Sequence, residues 1–142
     1  MSWLRKNHVL VPIDFSEESF AALAPAREFV EDATHLYVLH VLSRLNVAEP
    51  GAMWNTLDDE TRVKNVTHAL QERFKGSEFE AVHIGVAIGD SSSEIIDYAK
   101  QINADLIVIP SHGRTGLARF FLGSVAERVV RFVHCPVMVL RS

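Results

Sequence analysis

The stretch DLIVIPSHGRTGLARFFLGSVAERVV, Asp105 to Val130, holds three elements in succession. Leu106 to Ile109 is a short, unalternating apolar run, the character of a strand buried on both faces. Gly113, Gly116 and Gly123 then punctuate a polar loop. From Ser124 the segment SVAERVVRFV reads as a helix, with Ser124 and Glu127 at the spacing of a capping box. A strand leading through a loop into a helix is half of a crossover unit, and the question is whether the rest of the chain is built the same way.

It is. HVLVPID, His8 to Asp14, is a second short β-branched run ending on polar residues. Ser16 can cap the helix after it, whose apolar face would carry Phe20, Leu23, Phe29 and Val30. Pro25 predicts a kink or a late helix start, because it lacks an N–H and its ring crowds the carbonyl four residues back. HLYVLHVL, His35 to Leu42, is the next strand. Ser43 to Thr56 has no period and contains Pro50 and Gly51, so it reads as a loop, with Trp54 expected to pack onto the domain. Val63, Val66, Leu70 and Phe74 recur at helical spacing between Asp58 and Lys75, and Gly76 stands where a helix ends. FEAVHIGVAIG alternates, with Val82, Ile84, Val86 and Ile88 on one face. A helix then starts at Asp90 or Ser91, with Ser91 to Glu94 at capping-box spacing ahead of Ile95, Ile96, Ala99 and Ile102. PVMVLR closes the chain as strand five.

Strands and helices alternate throughout, which predicts one α/β domain over residues 1–142, a five-stranded parallel sheet with helices on both faces and right-handed crossovers. In such sheets ligands lie at the carboxyl ends of the strands where strand order reverses. That rule points to Pro12 and Asp14 after strand one, and to Pro110 through Ser124 after strand four.

Bulk properties narrow the function. The 142 residues are 48% hydrophobic and 23% charged, a globular composition, and the formal net charge of -4 argues against a binder of nucleic-acid backbones. The apolar runs fall far short of the roughly 20 residues that span a bilayer, and the N-terminus has no signal-peptide pattern, so a cytoplasmic protein without a membrane segment is expected. Cys135 is the lone cysteine and reads as a small buried hydrophobe.

Backbone N–H groups beside glycines, together with a helix N-terminus, can hold a phosphate, and Gly113, Gly116, Gly123 and Ser124 offer that arrangement. The same residues can equally turn the chain and cap a helix. Arg114 can add charge to a phosphate or lie solvated. His112 can donate to a phosphate, move a proton, or hydrogen-bond backbone. Asp14 can meet a ribose, an adenine edge or a metal, or simply close the strand–helix turn. The other six histidines lack metal-site spacing and are expected to be structural or surface residues. There is no G-x-x-x-x-G-K-[ST] and no G-x-G-x-x-G after strand one, so ordinary ATPase and dehydrogenase readings fall. A response regulator fits poorly for want of a lysine after strand five. A flavodoxin fits poorly because DFSEES is acidic where its phosphate would lie.

Taken together, VLVPIDFSEES, LHVL, ADLIVIPSHGRTGLARFFLGSVAERVV and CPVMVLR resemble the universal stress protein family over essentially the whole chain. The resemblance implies a Rossmann-like sheet of order 3-2-1-4-5, with strands one and four diverging into a nucleotide crevice. The family's ATP-binding branch carries G-x-x-G, nine residues, then G-[ST]. Gly113, the nine residues Arg114 to Leu122, and Gly123 with Ser124 match its second half, while Pro110 replaces the first glycine and removes that N–H. The resemblance implies that Pro12 lines the base pocket, that Val41 meets adenine through its backbone, and that Asp14 lies near the ribose or metal. His112, Gly113, Arg114, Gly123, Ser124, Val125 and Ala126 then surround the phosphates, and Pro110, Ser111 and Gly116 are expected to complete the nucleotide site. The expected function is a cytosolic Mg-ATP-binding stress-response dimer. The alternatives are an interaction module that binds no ATP, and a very slow ATPase in which His112 or Asp14 orients water and Arg114 supplies charge. Strand five, Val137 to Arg141, is the expected homodimer edge, since an unpaired edge invites self-pairing about a two-fold axis. A further protein partner is expected but not named by the chain.

Overall fold

In the computed structural model, which describes residues 4–44, 58–111 and 122–141, the five apolar runs form one parallel sheet. The strands are β1 (Val9–Pro12), β2 (Leu36–Leu42), β3 (His83–Ile88), β4 (Leu106–Pro110) and β5 (Val137–Leu140), in the order β3-β2-β1-β4-β5. The helices are α1 (Glu17–Ala21), α2 (Leu23–Arg27), α3 (Asp59–Phe74), α4 (Ser91–Gln101) and α5 (Ser124–Phe132). A 3-10 turn at Ala33–His35, capped by Asp32 and not foreseen from the sequence, leads into β2.

Period-two geometry sorts each strand's side chains between two cores. Val9, Val11, Leu36, Val38 and Val108 pack with Phe20, Leu23, Ala26, Leu70 and Phe74 under α1, α2 and α3. Leu10, Leu39, Ile107 and Ile109 pack with Ile95, Ala99, Ala126 and Val129 under α4 and α5. Fully burying such a side chain contributes about 1.5–3 kcal/mol, so the central strands carry much of the stability. Val82, just ahead of β3, and Ile84 within it take the expected face, in the first core. On the other face Gly85 admits the ring of Tyr98: a Cβ there would lie 2.6 Å from the phenolic oxygen.

Three local expectations change. The segment after β1 forms two short helices broken at Ala22 instead of one, because Pro25 falls in the first turn of α2, where its missing N–H has no intrahelical acceptor anyway. At α4 the cap is Asp90, not Ser91: its carboxylate accepts from the Ser93 N–H and from the hydroxyls of Ser92 and Ser93. At α5 the cap is Gly123, which has no side chain to offer, and Glu127 turns to Arg131 at 2.6 Å instead of reaching back. Gly76 ends α3 as expected, at φ +75. Cys135 is half-buried against the second core, and burial, then the nearby Asp105 carboxylate, pushes its thiol above the ordinary range.

Candidate functional site

Pro12 and Pro110 end the two strands that flank the switch in strand order, and both prolines act on the pairing between them. Successive backbone N–H groups in a strand point to opposite sides. The Ile13 N–H donates to Leu39 O on β2, so position 12 faces β4; the Ser111 N–H donates to Leu140 O on β5, so position 110 faces β1. Neither proline has an N–H to give across that gap. The pairing of β1 with β4 accordingly stops at Leu10 and Ile107, while β1 stays paired with β2 to Pro12 and β4 with β5 to Pro110. Beyond Leu10 and Ile107 the two strand ends are unpaired with each other, at the switch point where a ligand crevice is expected, and the two prolines there bring carbonyls and no backbone donors.

On the β1 side the chain turns sharply. The Ser16 N–H donates to Asp14 Oδ1 at 2.9 Å, and the Asp14 N–H donates to Ser19 Oγ at 3.3 Å. Ser16 caps α1 through the Ser19 N–H at 3.1 Å, as its position in the sequence predicted. The modest reading of Asp14, closure of the strand–helix turn, is therefore true of it, and the same contact holds its carboxylate at the crevice end of β1. Phe15, between Asp14 and Ser16, has φ 66, a left-handed conformation that few non-glycine residues adopt.

On the β4 side Ser111 is buried, and its carbonyl accepts from the Gly123 N–H at 2.6 Å. That bond brings the start of α5 to the end of β4. It also commits Gly123's own donor to the protein, so Gly123 serves by position and by lacking a side chain. The Glu127 N–H donates back to Gly123 O, which leaves Ser124, Val125 and Ala126 as the opening turn of a helix that no side chain among the described residues caps. The first N–H groups of a helix have no intrahelical acceptor and carry partial positive charge, the chemistry that holds anions. His112, Gly113, Arg114 and Gly116 lie outside the described residues, as does Trp54.

Val41 is half-buried near the carboxyl end of β2, on the face covered by α4 and α5, together with Ala126 and Val125. The structure thus brings Pro12, Asp14, Val41, Pro110, Ser111, Gly123, Ser124, Val125 and Ala126 to the carboxyl end of the sheet. Asp90, after β3, is held below the usual carboxylate range by the Ser93 N–H and then by the serine hydroxyls. It is a helix cap, not the phosphoacceptor of a response regulator.

Two residues at this end escaped the sequence reading. Arg62 donates to Ser43 O at 2.8 Å and ties α3 to the end of β2. His40 Nδ1 lies 2.7 Å from Ile13 O. Nothing in their spacing marks either. His8, His35 and His83 sit at the opposite end of the sheet and contact the carbonyls of Asn103, Asn7 and Thr34, structural roles as expected. Among the described residues no cluster of His, Cys, Asp or Glu could hold a metal by itself, and no helix is long and apolar enough to cross a membrane.

A doubly wound parallel sheet whose central strands part beside an uncapped helix start defines an α/β protein of the open-crevice type. The chain belongs to the universal stress protein family, whose sequence profile matches residues 6–141. Universal stress protein MJ0531 of Methanocaldococcus jannaschii is 33% identical over 140 residues, spanning 94% of this chain and 81% of that protein. The solved structure of universal stress protein UspA from Lactobacillus plantarum superimposes with a TM-score of 0.73 at 27% identity, over 96% of this chain and 99% of its own. A universal stress protein solved in complex with cAMP shares the fold, with a TM-score of 0.65 at 21% identity over 96% of this chain and 97% of that one.

Proposed function

We propose that this protein binds ATP with Mg²⁺ in the crevice between β1 and β4 and acts in the cytoplasm as a nucleotide-responsive regulatory dimer. The observation that carries the reading is the pairing of an opened β1–β4 gap with the uncapped start of α5 beside it. Base and ribose would lie toward Pro12, Asp14 and Val41. The phosphates would lie toward Ser124, Val125 and Ala126, with His112, Gly113, Arg114 and Gly116 completing their surroundings. Asp14 is a hard oxygen donor of the kind Mg²⁺ takes, and such ions usually keep several waters and phosphate oxygens as their other ligands. The cAMP complex of a protein with this fold agrees with an adenine nucleotide at the level of fold alone.

Hydrolysis is slow or absent in this reading, since no Walker lysine is present and Asp14 is engaged in closing its turn. A second reading, an interaction module that binds no ATP, draws on Pro110: position 110 faces the crevice and brings no N–H. Replacing Gly123 with valine separates the two. Gly123 is buried against the end of β4, so a branched side chain there obstructs the approach to the start of α5. Calorimetric titration of nucleotide-stripped protein with Mg-ATP is expected to give binding to the parent and at least tenfold weaker binding to Gly123→Val of normal circular dichroism. Equal affinity contradicts the phosphate assignment, and no binding to the parent favours the interaction module.

A further inference from the structure

Phe15 is held in a left-handed conformation that costs free energy and persists only where its surroundings impose it; such residues cluster at ligand sites. Its surroundings are specific. The Phe15 ring stands edge-on to Phe20 at 5.7 Å and to the His40 imidazole at 4.9 Å between centroids. A carbonyl oxygen only accepts hydrogen bonds, so the His40 nitrogen 2.7 Å from Ile13 O carries its proton and donates. The Ile13 N–H meanwhile donates to Leu39 O at 2.8 Å. Consecutive residues of β2 therefore grip both polar groups of Ile13, one through backbone and one through side chain. The residue after Ile13 is Asp14, and the residue after His40 is Val41. An apolar side chain at position 40 would pack against Phe15 equally well, but only a donor there reaches the carbonyl.

We propose that His40 is a positioning residue for the nucleotide site: its Nδ1–H fixes the Ile13–Asp14 peptide and thereby sets the placement of Asp14 relative to Val41. The inference rests on the crevice reading above. His40 touches no ligand and acts through Asp14. A side chain that served stability alone would leave the affinity of the folded protein unchanged, whereas a positioning side chain loses its effect once Asp14 is gone.

The test is Mg-ATP titration of the full chain, stripped of nucleotide, for the parent, His40→Leu, His40→Asn, Asp14→Ala and the double variant His40→Leu/Asp14→Ala. His40→Leu is expected to bind about tenfold more weakly, within the coupling range of residues in one hydrogen-bond network. His40→Asn, whose amide nitrogen can occupy the place of Nδ1, is expected to stay within about threefold of the parent. In the Asp14→Ala background, His40→Leu should add nothing. Parental affinity in His40→Leu, or the same loss with and without Asp14, overturns the proposal. Should His40→Leu fail to fold, His40→Asn against His40→Gln decides, because glutamine carries its amide one bond too far: equal affinities overturn the proposal. A parent that takes up no nucleotide refutes the crevice reading and this inference together, whereas a binding parent with an indifferent His40→Leu refutes this inference alone.

Discussion

Asp90 and Gly123 occupy equivalent places, each ahead of a helix covering the same face of the sheet, yet only Asp90 has a side chain to cap its helix. Asp90 spends its carboxylate on three hydrogen bonds at the start of α4, while Gly123 leaves the start of α5 without a side-chain partner among the described residues. The serine–glutamate spacing at 91–94 and 124–127 points one residue past the true cap in both helices. A carboxylate accepts from several donors at once and is the better cap, so Asp90 wins over Ser91. The bonds lower its folded-state pKa, so its stabilising effect is complete above the carboxylate's unfolded value and is lost as pH falls through the folded one. Asp32 and Asp58, held low by Thr34 and Thr61, behave alike. Thermal melts of the parent and Asp90→Asn should therefore differ most near neutrality and converge as pH falls below the ordinary aspartate value of about 3.9. A gap that stays constant through that range would show that the Asp90 charge contributes nothing.

At the scale of elements, strands and helices were legible because burial on both faces writes a continuous apolar run and burial on one face writes a period. α3 was read almost to the residue from Leu70 and Phe74, whereas β3 begins at His83, four residues after the Phe79 at which the alternation starts. The break at Ala22 was half legible: Pro25 announced it, but only the neighbouring bonds decide between a kink and two helices. The crevice itself followed from strand order. Its cause did not, since which way the missing N–H groups of Pro12 and Pro110 point depends on a register that only Ile13 and Ser111 reveal. Phe15 and His40 were the least legible, because a left-handed phenylalanine and a donor across two strands leave no spacing to find.

For the whole molecule, the proposed assembly turns on the β5 edge. Ser111 and Ile107 donate to Leu140 O and Pro136 O, so the even positions of β5 face β4, and Val137 and Val139 turn their backbone groups outward. On α5, which leads into β5, Val130 is 45% and Phe132 58% exposed. Antiparallel self-pairing of β5 about a two-fold axis would satisfy the outward groups and cover apolar surface, which is the homodimer proposed for this chain. Val139→Pro removes an outward donor while sparing the β4 ladder, so sedimentation equilibrium at micromolar concentration should read two chains for the parent and one for the variant. A parent of one chain contradicts the dimer. In that molecule the crevices lie at the carboxyl ends of the strands, and amide NMR tests their role most directly. Adding Mg-ATP to stripped protein is predicted to shift the resonances of Asp14, Val41, Ser111, Ser124, Val125 and Ala126 while leaving those of Asn7, His35 and His83 in place. An unchanged spectrum, or shifts gathered at the amino ends of the strands, would contradict the account.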